Sequence, residues 1–270
     1  NAVVILLAWK GLGVESYSWA VFIRGFLGFL TLYLIAPWKI GINFSLKALK
    51  KLFRFGVPYQ MNTLLAVVKD KFMILLLGRI IGNDGIALAG WAEKWSSLPL
   101  RYLLDNTNKV AFPAFSRLQH QKEKLKRAIE ASLYFLCVLI FPAVVGISAI
   151  SSTILILIPR LLKWQPALIA LYFYCFSACW GTVSTLITNA LTAIGKVRVV
   201  FKLMIMWTTL TWIFTPIFAY KFNFVGVALA NALIAFSSIV PIYIVKKLIN
   251  FQILANVLPS IISSMVMLVA

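Results

Sequence analysis

Residues 93–127 read EKWSSLPLRYLLDNTNKVAFPAFSRLQHQKEKLKR, and they hold the side chains best placed to do chemistry. Glu93, Lys94, Arg101, Asp105 and Lys109 stand in a segment apolar enough to lie in a bilayer. A charged residue at the bilayer centre costs roughly 2.5–3.5 kcal/mol on insertion scales. A Leu returns only about 0.3–0.6 kcal/mol. Turned to lipid, these charges would outweigh the apolar residues around them. They must face a wet cavity and pair there, or snorkel where they lie near a helix end. At 100° per residue, Lys94, Arg101, Asp105 and Asn108 fall within about 60° of one another, flanked by Ser97 and Lys109. Ala92, Leu103 and Val110 lie opposite. Such a helix has a packing or lipid face and a charged face, and the chemistry it offers is the holding of a charged, polar group in a lumen. From Ser116 onward the stretch reads as a soluble basic loop.

The elements that position this helix follow from composition. The chain is 62% hydrophobic with a mean hydropathy of +0.94, and several apolar runs approach the ~20 residues a helix needs to cross a bilayer. The class is an all-α polytopic membrane protein, a helical bundle. A net charge of +19 invites a nucleic-acid reading. Most of the Lys and Arg, however, lie between apolar runs, where a positive-inside bias puts them, so nucleic acid is excluded as a partner. Cys137, Cys175 and Cys179 are odd in number and lie in apolar runs, which gives no disulfide framework and no zinc spacing. Cys175 and Cys179 share a helix face and read as reduced packing residues. The sequence opens at Asn1 in one apolar run and stops at Ala270 in another, which reads as a piece of a longer protein lacking its N-terminal part.

In chain order, residues 1–9 read as the tail of a helix and 10–18 as a turn. Residues 19–36 form a spanning helix with Trp19 and Trp38 near its ends and Arg24 inside it. Residues 37–55 are strongly basic, with Leu46, Leu49, Leu52 and Phe53 at the spacing of an amphipathic surface helix. This stretch is the best boundary between lobes. Gly56-Val57-Pro58 opens a helix running to about Gly78. Within it Lys69-Asp70-Lys71 cannot all face one groove, Asn62 and Lys69 share a face, and Asp70 pairs with a neighbouring base. A turn at 79–85 precedes the charged helix at 86–112, which Pro99 kinks and Phe112-Pro113 ends. Further helices occupy 128–158, 167–194, 199–219 and 224–245, with turns at 159–166 and 195–198, and 251–270 begins a last one. Ser177, Gly181, Ser184, Thr185, Thr188 and Thr192 make a small-residue band, read as a close helix seam or a polar lining.

The loops alternate in charge. One set holds Lys39, Lys47, Lys50, Lys51 and Arg54; then Arg117, Lys122, Lys124, Lys126 and Arg127; then Lys196, Arg198 and Lys202; then Lys246 and Lys247. The other holds only Arg79; then Arg160 and Lys163; then Lys221. The richer set belongs in the cytoplasm. No P-loop, zinc-protease, Cys/His or nucleophile-elbow motif occurs. His120 lies in a loop with no partner for catalysis. An enzyme reading, a cofactor and a metal site all lack support, and charges inside helices without an ATPase point to a secondary transporter or flippase.

Several stretches in order carry a resemblance: GLGV at 11–14, LKKLFRFGV at 49–57, LLLGRIIG at 75–82, VAFPAFSRLQ at 110–119, KWQPA at 163–167 and NALTAIGK at 189–196. Together they resemble the polysaccharide-transporter family, the flippases of lipid-linked O-antigen, capsule and exopolysaccharide repeat units in the multidrug/oligosaccharidyl-lipid/polysaccharide export superfamily. The resemblance implies two six-helix lobes across a central cavity with alternating access. Residues 1–36 would end the first lobe, 37–52 link the lobes at the cytoplasmic face, 53–247 form the second lobe, and 248–270 start an additional helix. It implies a bacterial inner-membrane protein, a lipid-linked oligosaccharide as cargo, and membrane lipids, a polysaccharide polymerase and glycosyltransferases as neighbours.

On that reading Arg24, Lys69, Lys94, Arg101 and Lys109 are candidate cations for a pyrophosphate headgroup. Asp70, Glu93 and Asp105 neutralise them between cycles or carry a coupling proton. These residues are chosen by charge and by position inside helices, not carried over from a ligand motif. Two other readings stand beside this one. An exporter of cationic drugs would want an anionic cavity, and bases outnumber acids here. A scaffold of a glycan-assembly complex would use the charges as ion pairs, so neutralising whole pairs would leave its function intact.

Overall fold

The computed structural model describes residues 15–36, 45–249 and 253–269, with Ile5 and Trp9 besides. Among them every element is helical and there is no strand. Most of residues 1–14 and of the basic stretch before Ser45, Trp38 included, lie outside the described residues. The chain divides into two compact units, Asn1–Leu49 and Lys50–Ala270.

The first unit contains α1 (Glu15–Ile35). Glu15 in its first turn complements the positive end of the helix dipole. Its run Ser18–Ile35 is long and apolar enough to cross a membrane. Phe22, Phe26, Leu32 and Leu34 stand exposed on it, and Thr31 Oγ1 donates to Leu27 O at 2.7 Å, which satisfies a hydroxyl that hydrocarbon cannot.

The second unit begins in the first turns of α2 (Leu46–Val67). Gly56-Val57-Pro58 does not open a helix there; α2 runs through Pro58. A proline costs one rung of the ladder, and the good helix formers of LKALKKLF precede it. A π-turn, Val68–Phe72, leads into α3 (Met73–Arg117). The backbone of α3 leaves helical geometry only at Gly82, at φ 70 and ψ 175. Glycine alone reaches that conformation cheaply, so the turn expected over 79–85 shrinks to one residue. The second limb then continues through Pro99 and past Phe112-Pro113 to Arg117. Buried Ala111 and Phe115 hold that last turn against the core. The expected loop at 116–127 is likewise corrected to a turn at 118–121, because α4 (Lys122–Leu157) starts at once. Its basic first turns are helical because Leu125 and Ile129 extend the buried face outward.

A 3-10 segment, Pro159–Ala167, precedes α5 (Leu168–Ala193). Gly195 caps α5 at φ 77. Its N–H donates to Thr192 O at 3.0 Å and that of Lys196 to Leu191 O at 2.8 Å, the bond pair of a Schellman motif. α6 (Val197–Ala235) reverses at Asn223, whose Oδ1 accepts the Phe224 N–H at 2.7 Å. A 3-10 turn, Phe236–Ser238, and α7 (Ile239–Ile249) extend its second limb. α8 (Ile253–Val269) lies along α4.

α5 is the central helix, packed on α3, α4, α6 and α7. The core joins Leu133 and Ile140 of α4 to Leu171, Leu186 and Leu191 of α5. A second cluster joins the two reversals, with Met73 and Leu77 against Ala219 and Val227. Trp91 stacks on Trp164 at 5.5 Å and 9°, so the Pro159–Ala167 segment lies beside the start of the second limb of α3. Besides Ser18–Ile35, the stretches Lys122–Leu157, Pro159–Ala193 and Val197–Lys247 are long and apolar enough to cross a membrane, the last of them broken at Asn223. The chain is an all-α, multi-pass membrane protein.

Candidate functional site: a charged groove on α3

One side of α3 is committed to packing. Gly85, Ala89, Ala92, Ser96, Leu104, Ala111 and Phe115 are buried, at steps of one or two helical turns (three, four, seven or eight residues). The small side chains at the start of this seam let neighbouring helices come close. Gly181 of the small-residue band faces it, with Leu100 3.8 Å from where a Cβ would stand. The rest of that band is largely self-satisfied: Thr188 donates to Ser184 O and Thr185 O, and Thr192 donates to Thr188 O. The close-seam reading therefore fits it better than a polar lining.

With that side occupied, the charges of α3 are left on the other. A groove of about 450 Å³ runs along it, lined by Lys94, Leu98, Arg101, Tyr102, Asp105, Asn106 and Lys109. Lys109 Nζ donates to Asn106 Oδ1 at 3.0 Å, and Asn106 Nδ2 donates to Tyr102 O at 2.9 Å. Arg101 and Asp105, one helical turn apart, have no ion-pair partner among the described residues. Asn108, expected in the stripe, is half-buried with its Oδ1 unpartnered, and Asn106 lines the groove instead. Val110 lies on the far side as expected, five whole turns from buried Ala92, and is 76% exposed, so packing covers that side at Ala92 but not at Val110. A search guided by charge passes over Leu98, Tyr102 and Asn106. Their signal is positional: Leu98 and Asn106 lie three or four residues from a groove cation, and Tyr102 lies three from Asp105.

Glu93 does not line the groove. It lies within electrostatic reach of Arg101 and, across the hairpin, of Asp70 and Lys69, and its charge also acts on the Tyr174 hydroxyl of α5. Asp70 pairs with Lys69, Oδ1 to Nζ at 3.2 Å. Both belong to the π-turn, whose wider winding shifts the side-chain register within the first limb of the hairpin. Gly82 folds that limb back on α3, and so brings two polar stretches distant in sequence together. Arg24 is exposed on α1, in the first unit. No group of three metal-binding side chains occurs among the described residues. His120 is exposed in the turn after α3, and the three cysteines are free, with Cys137 and Cys175 buried. The arrangement can hold an anion beside a polar, uncharged body.

The family model described as "polysaccharide biosynthesis protein" matches residues 1–168. The chain belongs to that family. This agrees with the resemblance to polysaccharide transporters, and the match includes the whole charged hairpin. Among curated relatives, the lipopolysaccharide biosynthesis protein WzxC of Escherichia coli K12 is 24% identical over 207 residues, covering 73% of this chain and 42% of that protein. The succinoglycan biosynthesis transport protein ExoT of Rhizobium meliloti is 22% identical over 184 residues, covering 68% of this chain and 35% of that one. The chain thus spans less than half the length of the curated relatives it matches. No solved structure matches it.

Proposed function

We propose that the protein moves a polyprenyl-pyrophosphate-linked oligosaccharide across the bacterial cytoplasmic membrane by alternating access, for cell-surface polysaccharide synthesis. The observation that carries this reading is the groove on α3, where Lys94, Arg101 and Lys109 stand with a single acid, Asp105. A pyrophosphate headgroup is large, polar and anionic. It needs a wet cationic route while its lipid tail stays in hydrocarbon, and such a route is what unpaired cations on one helix face provide. The relatives named for biosynthesis and transport of surface polysaccharides support it. On this reading the protein is a transporter and not an enzyme. Residues 53–247 serve as the second six-helix lobe and residues 1–36 as the end of the first. The Lys69, Asp70 and Glu93 group exchanges partners as the cavity opens to each leaflet, and a polymerase and glycosyltransferases work beside it.

The test is transport of a labelled polyprenyl-pyrophosphate oligosaccharide to the far leaflet of sealed vesicles holding the protein. Arg101→Ala should lower the rate at least about tenfold, the order of a lost charge-assisted contact. Arg101→Ala/Asp105→Ala should fail equally. Recovery in the double variant would make the two residues a structural pair and remove them from the cargo path. A protein that moves no lipid under proton or sodium gradients would sink the flippase reading.

A further inference from the structure

The groove has two unlike edges. At 100° per residue, Lys94, Arg101 and Asp105 lie within about 40° of one another, and Trp91, Trp95 and Tyr102 lie within about 40° of one another on the adjoining strip. One edge is charged; the other is aromatic over residues 91–102 and turns polar at Asn106 and Lys109. Tyr102 lines the groove itself and is 67% exposed. Trp95, two turns before it on the same strip, is 45% exposed. The strip ends where Trp91, 6.2 Å from Trp95, is covered by Trp164, with Lys163 Nζ 5.3 Å from the Trp164 ring centre. Trp91 is thus occupied within the protein, while Trp95 and Tyr102 keep ring surface free. From Lys94 to Lys109 the groove extends about 22 Å at 1.5 Å per residue, so it can take a body much longer than a pyrophosphate.

We infer that the aromatic edge is a saccharide subsite, in which Trp95 and Tyr102 stack on the sugar rings next to the pyrophosphate while Lys94, Arg101 and Lys109 take the phosphates. The inference rests on the function proposed above and adds which residues read the glycan. A pyranose ring has a face of C–H groups and a rim of hydroxyls. An aromatic side chain covers the former and leaves the latter to water, so it holds a sugar without demanding one hydroxyl pattern. A phosphate has no such face and gains nothing from the aromatic edge. The charge complementarity of the other edge fixes the occupant as a sugar joined to an anion. A free neutral sugar would leave the cations unpaired, and a bare lipid phosphate would leave Trp95 and Tyr102 uncovered.

Equilibrium binding to the protein in neutral detergent separates the two edges. The probes are polyprenyl pyrophosphate alone and the same lipid bearing one glucosyl, galactosyl or N-acetylglucosaminyl residue. The wild type should bind at least one sugar-bearing lipid more tightly than the bare one. Tyr102→Leu and Trp95→Leu should each weaken that lipid about fivefold to tenfold, the range of an aromatic stacking contact, with less than twofold change for the bare lipid. Tyr102→Phe should keep the sugar-dependent gain, and Arg101→Ala should weaken every probe alike. The subsite is overturned if no sugar adds affinity, or if the Leu variants weaken bare and sugar-bearing lipids equally. In either case binding of bare polyprenyl pyrophosphate leaves the proposed function standing. A protein that binds none of the probes overturns both.

Discussion

Single residues set the groove and the two reversals at one end of the bundle. Arg101 has a fork of donors that a pyrophosphate can fill two at a time, which an ammonium cannot do. Arg101→Lys is expected to transport at a rate between those of wild type and Arg101→Ala, and a rate equal to wild type would reduce Arg101 to a point charge. Gly226 shows a different necessity: a Cβ there would overlap the carbonyl of Phe218 across the Asn223 reversal. Gly226→Ala should therefore cost about 1–3 kcal/mol, as overpacking does, read as a lower thermal midpoint in detergent. Asn223, at φ 56, sits where a β-branched residue is strained. Asn223→Val should cost about 1–3 kcal/mol more than Asn223→Gly in the same measurement. Charge made Lys94, Arg101, Asp105 and Lys109 legible in the sequence, because a charge inside an apolar run has few tolerable explanations. Tyr102 and Asn106 were not legible, because a tyrosine or an asparagine in such a run has many.

At the scale of elements, helix existence was easy to read and helix ends were not. Apolar runs between basic clusters marked α4, α5 and the two limbs of α6. The ends went wrong where sequence punctuation met tertiary packing. Pro58 and Pro113 lie inside helices, since a proline removes only one hydrogen bond; beside Pro113 the buried Ala111 and Phe115 outweigh that loss. The π-turn at Val68–Phe72 had no sequence signal beyond the odd run of charges it carries. What places α3 is its seam of small residues, and that seam carries a prediction. Ala92 is fully buried among the core residues. Ala92→Leu should push α3 away from its neighbours and cost about 1–3 kcal/mol. Lys94, one turn away from no seam residue, should tolerate Lys94→Gln with an unchanged midpoint, because its side chain is exposed. Equal midpoints for Ala92→Leu and wild type would mean that the seam is not tightly closed.

For the whole molecule, charge along the sequence and packing in space give two independent accounts of sidedness. The loops poor in Lys and Arg hold Arg79, Arg160, Lys163 and Lys221. The fold brings those same loops to one end: a Cβ on Gly85 would stand 3.2 Å from Asn223 Oδ1, which joins the first and last, and the Trp91–Trp164 stack joins the middle one to the same hairpin. The turns at 118–121 and at Gly195, with Arg117, Lys122, Lys196 and Arg198 around them, belong at the other end. A positive-inside bias puts that second end in the cytoplasm. Impermeant maleimide labelling of single added cysteines checks this directly. Gln165→Cys and His120→Cys both replace exposed residues, and the native Cys137 and Cys175 are buried, so with the half-buried Cys179 first changed to Ala the background labelling is low. In intact cells Gln165→Cys should label and His120→Cys should not; after permeabilisation both should label. The reverse pattern would turn the bundle over. Labelling of both in intact cells would contradict the alternation itself, and with it the reading of the Gly82 and Asn223 reversals as ends of membrane crossings. The groove makes the orientation matter: its Lys109 end lies towards the basic turns and its Lys94 end, beside Trp95, towards the Gly82 reversal. The expected labelling would therefore place the Lys94 end of the groove, beside Trp95, nearer the outer leaflet, the side to which the proposed function delivers its saccharide.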